Sequence, residues 1–381
     1  MGESKRVKVA FPHMGNVYIA WAAALKKLGV EPVIPPHTSK RTLELASQYS
    51  PDSICLPYKL VLGNFLQAIE NGADYVAMIS SPGICRLGEY GQSIKNVMKD
   101  LGFENKYIQL DLYGGFKSIY DFLSEVSGVK NPLKLIRAIN LAVRKVFITD
   151  RLENLFSYYR AREVVQGTAE KHFKKAIQLI YNTDSTLELK KAEKNASDEI
   201  KKTQIDTNRD VLKVDITGEI FLVQDPYSNQ NIEKELGRMG VQTRRSLTVS
   251  SFLRDAIIPK MFQKDETHLE RSERMARPYL MRDIGGDALE SVSDVAYADA
   301  KGTDGIIHVS PFTCMPEIMS QNIFPSMREN CEIPILTLIL DEQTGRAGYI
   351  TRLEAFVDLM HRRKMYRKKQ QKTAKMQNAA N

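Results

Sequence analysis

The sequence has no apolar run approaching the roughly 20 residues that cross a bilayer, so no membrane span is expected. Its start, MGESKRVKVAFPHMG, has no apolar stretch followed by a small-residue cleavage site and reads as no secretory signal. Cysteine is scarce. Four occur in 381 residues, none in a C-x-x-C pair, and that is not a disulfide framework. The P-loop pattern G-x-x-x-x-G-K-[ST] and the dinucleotide fingerprint G-x-G-x-x-G are both missing. So are the G-x-S-x-G elbow and the H-E-x-x-H zinc motif, and the six histidines are scattered without ligand spacing. What is left is a cytoplasmic chain whose thiols are unmodified, redox-active, or ligands to a metal or cluster.

An apolar fraction of 43% with 26% charged residues describes a globular chain, long enough for two domains of ordinary size. The net charge of +8 suggests nucleic acid until its distribution is read. The last 21 residues, HRRKMYRKKQQKTAKMQNAAN, carry eight Lys/Arg and no acid, and the rest of the chain has 46 basic against 46 acidic residues. The excess is a basic tail, expected to be frayed and solvated, and a nucleic-acid partner is not expected.

Arg6 to Ala10 reads as a strand, Val17 to Leu28 as a helix closed by Gly29, and Glu31 to Ile34 as a second strand: a βαβ unit. Asp52 to Leu56 is a short strand-like segment, Pro57 to Asn71 a helix, Tyr75 to Ile79 a buried strand and Lys106 to Leu110 another. From about Lys117 the strand signal disappears into a helical insert. The α/β pattern then restarts, with strands expected at Gly218–Val223, Val241–Arg244, Gly305–Val309 and Ile333–Leu340. Helices are expected at Asn231–Met239, along Phe252–Asp283, near Met315, and at Thr351–Met365. VKVAFPHMGNVYIAWAAALKKLGVEPV and the stretch around GEIFLV both run strand, polar turn with Asn, helix, Leu/Met-Gly-Val, strand, a weak internal repeat. The expected organisation is a first α/β lobe at 1–116, a helical connection at 117–210, a second α/β lobe at 211–360 and the tail at 361–381, with mostly parallel sheets.

Three cysteines follow or border predicted strands: Cys55 in PDSICLPYKL, Cys85 in SSPGICRLGEY and Cys314 in IIHVSPFTCMPEI. Ligands of open α/β sheets bind beyond the carboxyl ends of the strands. Three thiols brought there from two lobes suit an iron–sulfur cluster, and a helix start beside Cys55 and Cys314 favours the thiolate. Three ligands on a four-iron cube leave one iron open, a Lewis acid as well as an electron carrier. The bland alternative is that each is a small buried residue. Cys331, in RENCEIPILTLIL, precedes the last strand at its amino end and reads as structural.

CLPYKLVLGNFLQAIENGADYVAM, PGICRLGEYGQSIKNVMKDLGF, DGIIHVSPFTCMPEIMSQNIFP and IPILTLILDEQTGRAGYITRLEAF resemble the 2-hydroxyacyl-CoA dehydratase D-component superfamily, in particular its branch of CoA-substrate-specific enzyme activase-related proteins. The resemblance covers Val7–Asp111 and Lys213–Leu359. It implies two Rossmann-like lobes with a [4Fe–4S] cluster between them, held by Cys55, Cys85 and Cys314, or a larger double-cubane cluster. It also implies a separate ATP-dependent activator that passes one electron to the cluster component. In the dehydratases that electron makes a ketyl radical from a 2-hydroxyacyl thioester, which then loses water. An acyl-CoA substrate, a homo- or heterodimer, and lyase or reductase activity belong to the same implication. The competing reading is a non-catalytic cluster-binding or electron-relay scaffold. The activator's own phosphate motifs are missing, so this chain is not expected to be the activator. Arg86, Glu89, Tyr90 and Glu317 fall near the cluster edge as supporting or capping residues, and Asp341 and Glu342 as loop anchors after the last strand.

Overall fold

A computed structural model describes residues 6–80, 87–111, 115–257 and 266–380. The first part runs β1 (Lys8–Ala10), α1 (Tyr18–Lys27), β2 (Glu31–Val33), α2 (Lys40–Ser47), α3 (Leu56–Glu70), β3 (Tyr75–Ser80), α4 (Leu87–Asp100) and β4 (Tyr107–Asp111). Four helices follow: α5 (Phe116–Ser127), α6 (Pro132–Arg160), α7 (Thr168–Tyr181) and α8 (Leu189–Lys201). The second part begins with β5 (Leu212–Gly218), α9 (Ile220–Gln224), α10 (Ile232–Arg238), β6 (Val241–Arg245), α11 (Val249–Ile257) and α12 (His268–Ala276). It continues through α13 (Ala288–Ala300), β7 (Gly305–Pro311), α14 (Met315–Met327), β8 (Ile335–Leu340) and α15 (Arg346–Ala380).

The strands make two sheets of four, ordered β2-β1-β3-β4 and β6-β5-β7-β8, with every pairing parallel. These are two Rossmann-like α/β lobes of the same topology, and in each the order in which strands are added reverses between the first and third strand. A parallel strand needs a crossover to return, and that crossover supplies the helices on the faces. The repeat extends to single hydrogen bonds. The Lys8 amide donates to Asp74 Oδ2 (2.9 Å) just before β3, and the Lys213 amide donates to Asp304 Oδ2 (2.8 Å) just before β7.

Helix α3 is buried from Leu56 through Ala68, with apolar residues on every side rather than along one stripe and with Lys59, Asn64 and Gln67 buried among them. Its Leu60, Leu62 and Phe65 pack with Val76 and Met78 of β3, and Phe221 of α9 joins the same cluster from the second lobe. In that lobe, Leu212, Val214 and Ile216 of β5 pack with Ile307 and Val309 of β7 and with Tyr349, Leu353 and Phe356 of α15. The inserted helices pack against one another through Leu152, Ile177, Ile180, Ala196 and Ile200. The start of α6 instead joins the first-lobe core through Leu135, Ala138 and Ile139.

The lobes and the insert meet at a buried ion-pair network. Arg245, at the end of β6, donates to Glu153 of α6 (2.8 Å), to Gln224 (2.8 Å) and to Glu233 of α10 (2.6 Å). Glu153 also accepts from Asn16 of the first lobe at 2.6 Å.

Several elements depart from the sequence expectation. The strand expected at Gly218–Val223 lies one segment earlier, at Leu212–Gly218, and the apolar run IFLV is the short helix α9. Glu219 decides this by accepting the Leu222 amide as an N-cap (2.9 Å), and a short apolar run cannot by itself tell strand from helix. Residues 52–54 are turns rather than a strand. The helical stretch expected at Phe252–Asp283 is α11 and α12, with 258–265 outside the described residues. The basic tail expected to fray continues α15 as helix to Ala380. Its Lys364 and Lys368 pair with Asp210, and its Arg363 and Arg367 with Glu332.

Candidate functional site

Cys55 and Cys314 occupy the same local position. Each is the N-cap of a helix with extended backbone, and each is followed by Pro at the second helical residue: Cys55-Leu56-Pro57 into α3, Cys314-Met315-Pro316 into α14. Proline fits there because its φ suits a first helical turn and no amide is needed. The two helices reach the carboxyl edge of their sheets by different routes. Helix α14 follows β7 and leaves from that edge. Helix α3 precedes β3, so it starts at that edge and runs back to the strand's beginning. The sequence reading brought Cys55 to the edge by a strand that does not exist; the helix does it instead.

The structure brings these two cysteines together across the lobes. Thr313 Oγ1 donates to Ser53 O at 3.1 Å, joining the residue before Cys314 to the turn before Cys55. Thr313 has φ 67, a left-handed conformation that a β-branched residue adopts only under tertiary constraint. Cys55 and Cys314 are 6% and 8% exposed, and the charge of one is felt by the other. Cys85 and Arg86 lie outside the described residues, as does the side chain of Glu89.

The surroundings of Cys314 are of one sign. Burial first, then Glu317 and Glu219, push its thiol far up, and Cys55 adds to this. The helix start was expected to favour the thiolate; with a half-charge at most, it loses to desolvation and two carboxyls. Glu219 follows β5 and is itself pushed up to about 7 by burial. Glu317 Oε2 accepts from Ser291 Oγ (2.8 Å) and meets His308 Nε2 of β7 at 2.5 Å, with both residues fully buried. Gly218 has φ 123, and a Cβ on it would sit 1.9 Å from Val309 O, so only glycine lets β5 and β7 close beside the site.

Tyr90 Oη lies 2.5 Å from Cys55 Sγ and packs edge-on to Tyr58. Asp341 Oδ1 accepts from the Gln343 amide (3.0 Å) and from Thr344 Oγ1 (2.7 Å), capping the turn into α15. Glu342 reaches the first lobe, where Lys59 Nζ donates to its Oε1 at 2.6 Å. Cys331 is buried at the opposite side of the second sheet among Ala276, Phe324 and Met327.

Residues 11–246 match the family model of the CoA enzyme activase uncharacterised domain. The chain belongs to that family. The CoA enzyme activase domain match takes in Cys55, Cys85, the insert and the second lobe through β6, and Cys314 lies beyond it. No curated protein matches the chain.

Among the described residues, no group of three or more His, Cys, Asp or Glu side chains is arranged to hold a metal ion. For a cluster the donor type fits: two buried thiols cap helix starts in the two lobes, on turns that the Thr313–Ser53 hydrogen bond joins. Sequence reading missed two signals that were legible in hindsight. One is the C-x-P repeat at Cys55 and Cys314. The other is the S-P-x-x-C repeat, Ser81 to Cys85 and Ser310 to Cys314.

Proposed function

We propose that this chain is an iron–sulfur component of the 2-hydroxyacyl-CoA dehydratase type, served by a separate ATP-dependent activator. The observation that carries it is the hydrogen bond from Thr313 to Ser53, which joins the turn before Cys314 to the turn before Cys55 across the lobes. Cys55, Cys85 and Cys314 would hold a [4Fe–4S] cluster. Bound there, it supplies a low-potential electron for radical dehydration or a related reduction. The protein's own part is to keep the site dry with α3, α14 and α9, and to hold the two lobes in register through Thr313–Ser53 and Lys59–Glu342. Family membership in the CoA enzyme activase domain supports the link to an activator system.

The test is anaerobic purification with iron and acid-labile sulfide quantified for the parent chain and four variants. Cys55→Ala, Cys85→Ala and Cys314→Ala are expected to lose most of the iron and sulfide, and Cys331→Ala to retain both. A parent chain without iron and sulfide after anaerobic reconstitution overturns the reading. Loss in Cys331→Ala equal to the others overturns the ligand assignment. Addition of activator, ATP and a 2-hydroxyacyl-CoA then separates a dehydratase from an electron relay, because only the first releases water from the thioester.

A further inference from the structure

Cys55 and Tyr90 come from neighbouring helices that two contacts hold in step. On α3, Tyr58 stands one turn beyond Cys55, and its amide donates to Cys55 O at 3.1 Å. On α4, Ser93 stands one turn beyond Tyr90. Residues three apart share one side of a helix, so each helix presents a pair. The pairs meet member to member: Tyr90 Oη is 2.5 Å from Cys55 Sγ, and Tyr58 Oη is 2.8 Å from Ser93 Oγ. Between them the two tyrosine rings pack edge-on, 5.1 Å apart at their centroids.

Tyr58 is fully buried and Tyr90 is 3% exposed, in a core with Leu56, Leu60 and Ile94. Close packing of this kind fixes a ring, and the hydroxyl of a buried tyrosine needs a polar partner. Phenylalanine would fill the same space without that need. For Tyr90 the partner is the Cys55 sulfur. The direction of the bond follows from the state of the sulfur. A thiol can give or take a proton, but a metal-bound cysteine is a thiolate and has none to give. The phenol is then the donor.

We infer that Tyr90 is a positioning residue of this site, donating a hydrogen bond to the Cys55 sulfur and so raising the potential at which the site accepts an electron. The inference rests on the iron–sulfur reading above. A hydrogen bond to a ligand sulfur stabilises the more negative, reduced state, and such bonds are one of the levers that set cluster potentials. Tyr90 adds no ligand, so the iron that three cysteines leave open stays open.

The test compares the parent chain with Tyr90→Phe and Tyr58→Phe, each reconstituted anaerobically with iron and sulfide. Iron content, EPR-monitored redox titration, and resonance Raman spectra in H2O and D2O are measured, and circular dichroism checks the fold. Both variants keep the ring and lose one hydroxyl from the same pair of helices, so an effect of packing alone appears in Tyr58→Phe as well. Tyr90→Phe is expected to bind the same iron at a more negative potential, with a roughly 3- to 10-fold smaller ratio of reduced to oxidised cluster at a fixed poise. Tyr58→Phe is expected to keep the parent potential. The iron–sulfur stretching bands of the parent chain should move in D2O, and part of that movement should be lost in Tyr90→Phe. A Tyr90→Phe potential equal to the parent's, or an equal shift in Tyr58→Phe, overturns the inference and leaves the cluster reading standing. Bands of the parent chain that ignore D2O do the same without any variant. Loss of iron from a folded Tyr90→Phe also overturns it, because the hydroxyl would then serve to hold the cluster rather than to set its potential. A parent chain with no iron or sulfide overturns both readings.

Discussion

Lys59 stands one helical turn beyond Cys55 and is 2% exposed, an unusual place for an ammonium. Its Nζ donates to Glu342 Oε1 (2.6 Å) and to Asp52 O (3.3 Å), so one buried charge ties the turn before Cys55 to the loop after β8. Removing a buried charge from a hydrogen-bonded pair leaves the other half unsatisfied. Lys59→Met is therefore expected to lower stability by about 1–3 kcal/mol, read from denaturant unfolding. A double-mutant cycle with Glu342→Gln should show coupling between the two; additive effects would remove the clasp from the account. Cys314 teaches a related lesson at the same scale. Its position at a helix start is favourable for a thiolate, and burial among carboxyls reverses that preference.

Helix α13 carries acids held away from water, Asp294 and Glu290. Burial pushes Asp294 up to about 7 and Glu290 up to about 8. Asp294 keeps partners, accepting from Thr217 Oγ1 (2.8 Å) and pairing with Arg271 (3.3 Å). A carboxyl raised in the native state holds a proton that the unfolded chain has already released. Its contribution is complete below the ordinary carboxylate range and is lost as pH rises through 7 to 8. His13 and His268 work in the opposite direction between about 4 and 6.5, since burial lowers both to about 4 and the unfolded chain then binds the extra protons. The carboxyls therefore dominate above 6.5. Glu219, raised to about 7, adds to the same fall. Unfolding stability is expected to fall between pH 6.5 and 8, by about 2 kcal/mol or more, and Glu290→Gln should reduce that slope without abolishing it. Stability that is level or rising over this window in the parent chain contradicts the assignment.

Over the whole molecule, the lobes are not independent beads. Phe221 of the second lobe packs in the first-lobe core, Thr38 donates to Asp225 (3.0 Å), and Arg245 gathers residues from both lobes and the insert. The chain has one tryptophan, Trp21, stacked on Phe11 in the first lobe at 4.1 Å between ring centroids, and it reports on that lobe. Tryptophan fluorescence and far-UV circular dichroism are expected to give coincident denaturant transitions, the mark of one cooperative unit. Two separated transitions, fluorescence first or last, would show the lobes unfolding apart.

Strand and helix periodicity, with Gly29, Gly72 and Gly240 closing helices, was enough to read two parallel α/β lobes around a helical insert. Local pattern carries that much because a buried parallel strand must be continuously apolar and its crossover helix must end before the next strand begins. Cys55 and Cys314 could be picked out by residue type and by their place at helix starts near the carboxyl edge of the sheets. Local pattern could not decide IFLV, where a side-chain cap from Glu219 outweighs strand propensity. Nor could it find the acids that act on Cys314, because Glu219 and Glu317 are separated in sequence and come together only when the ends of β5 and β7 pack side by side. The sequence by itself determined the alternation of strands and helices and the residue types available for chemistry, though not every element's place. The tertiary structure decided that the turns carrying Cys55 and Cys314 are joined and that carboxyls act on Cys314, because both depend on contacts between elements and on burial, which no single segment encodes.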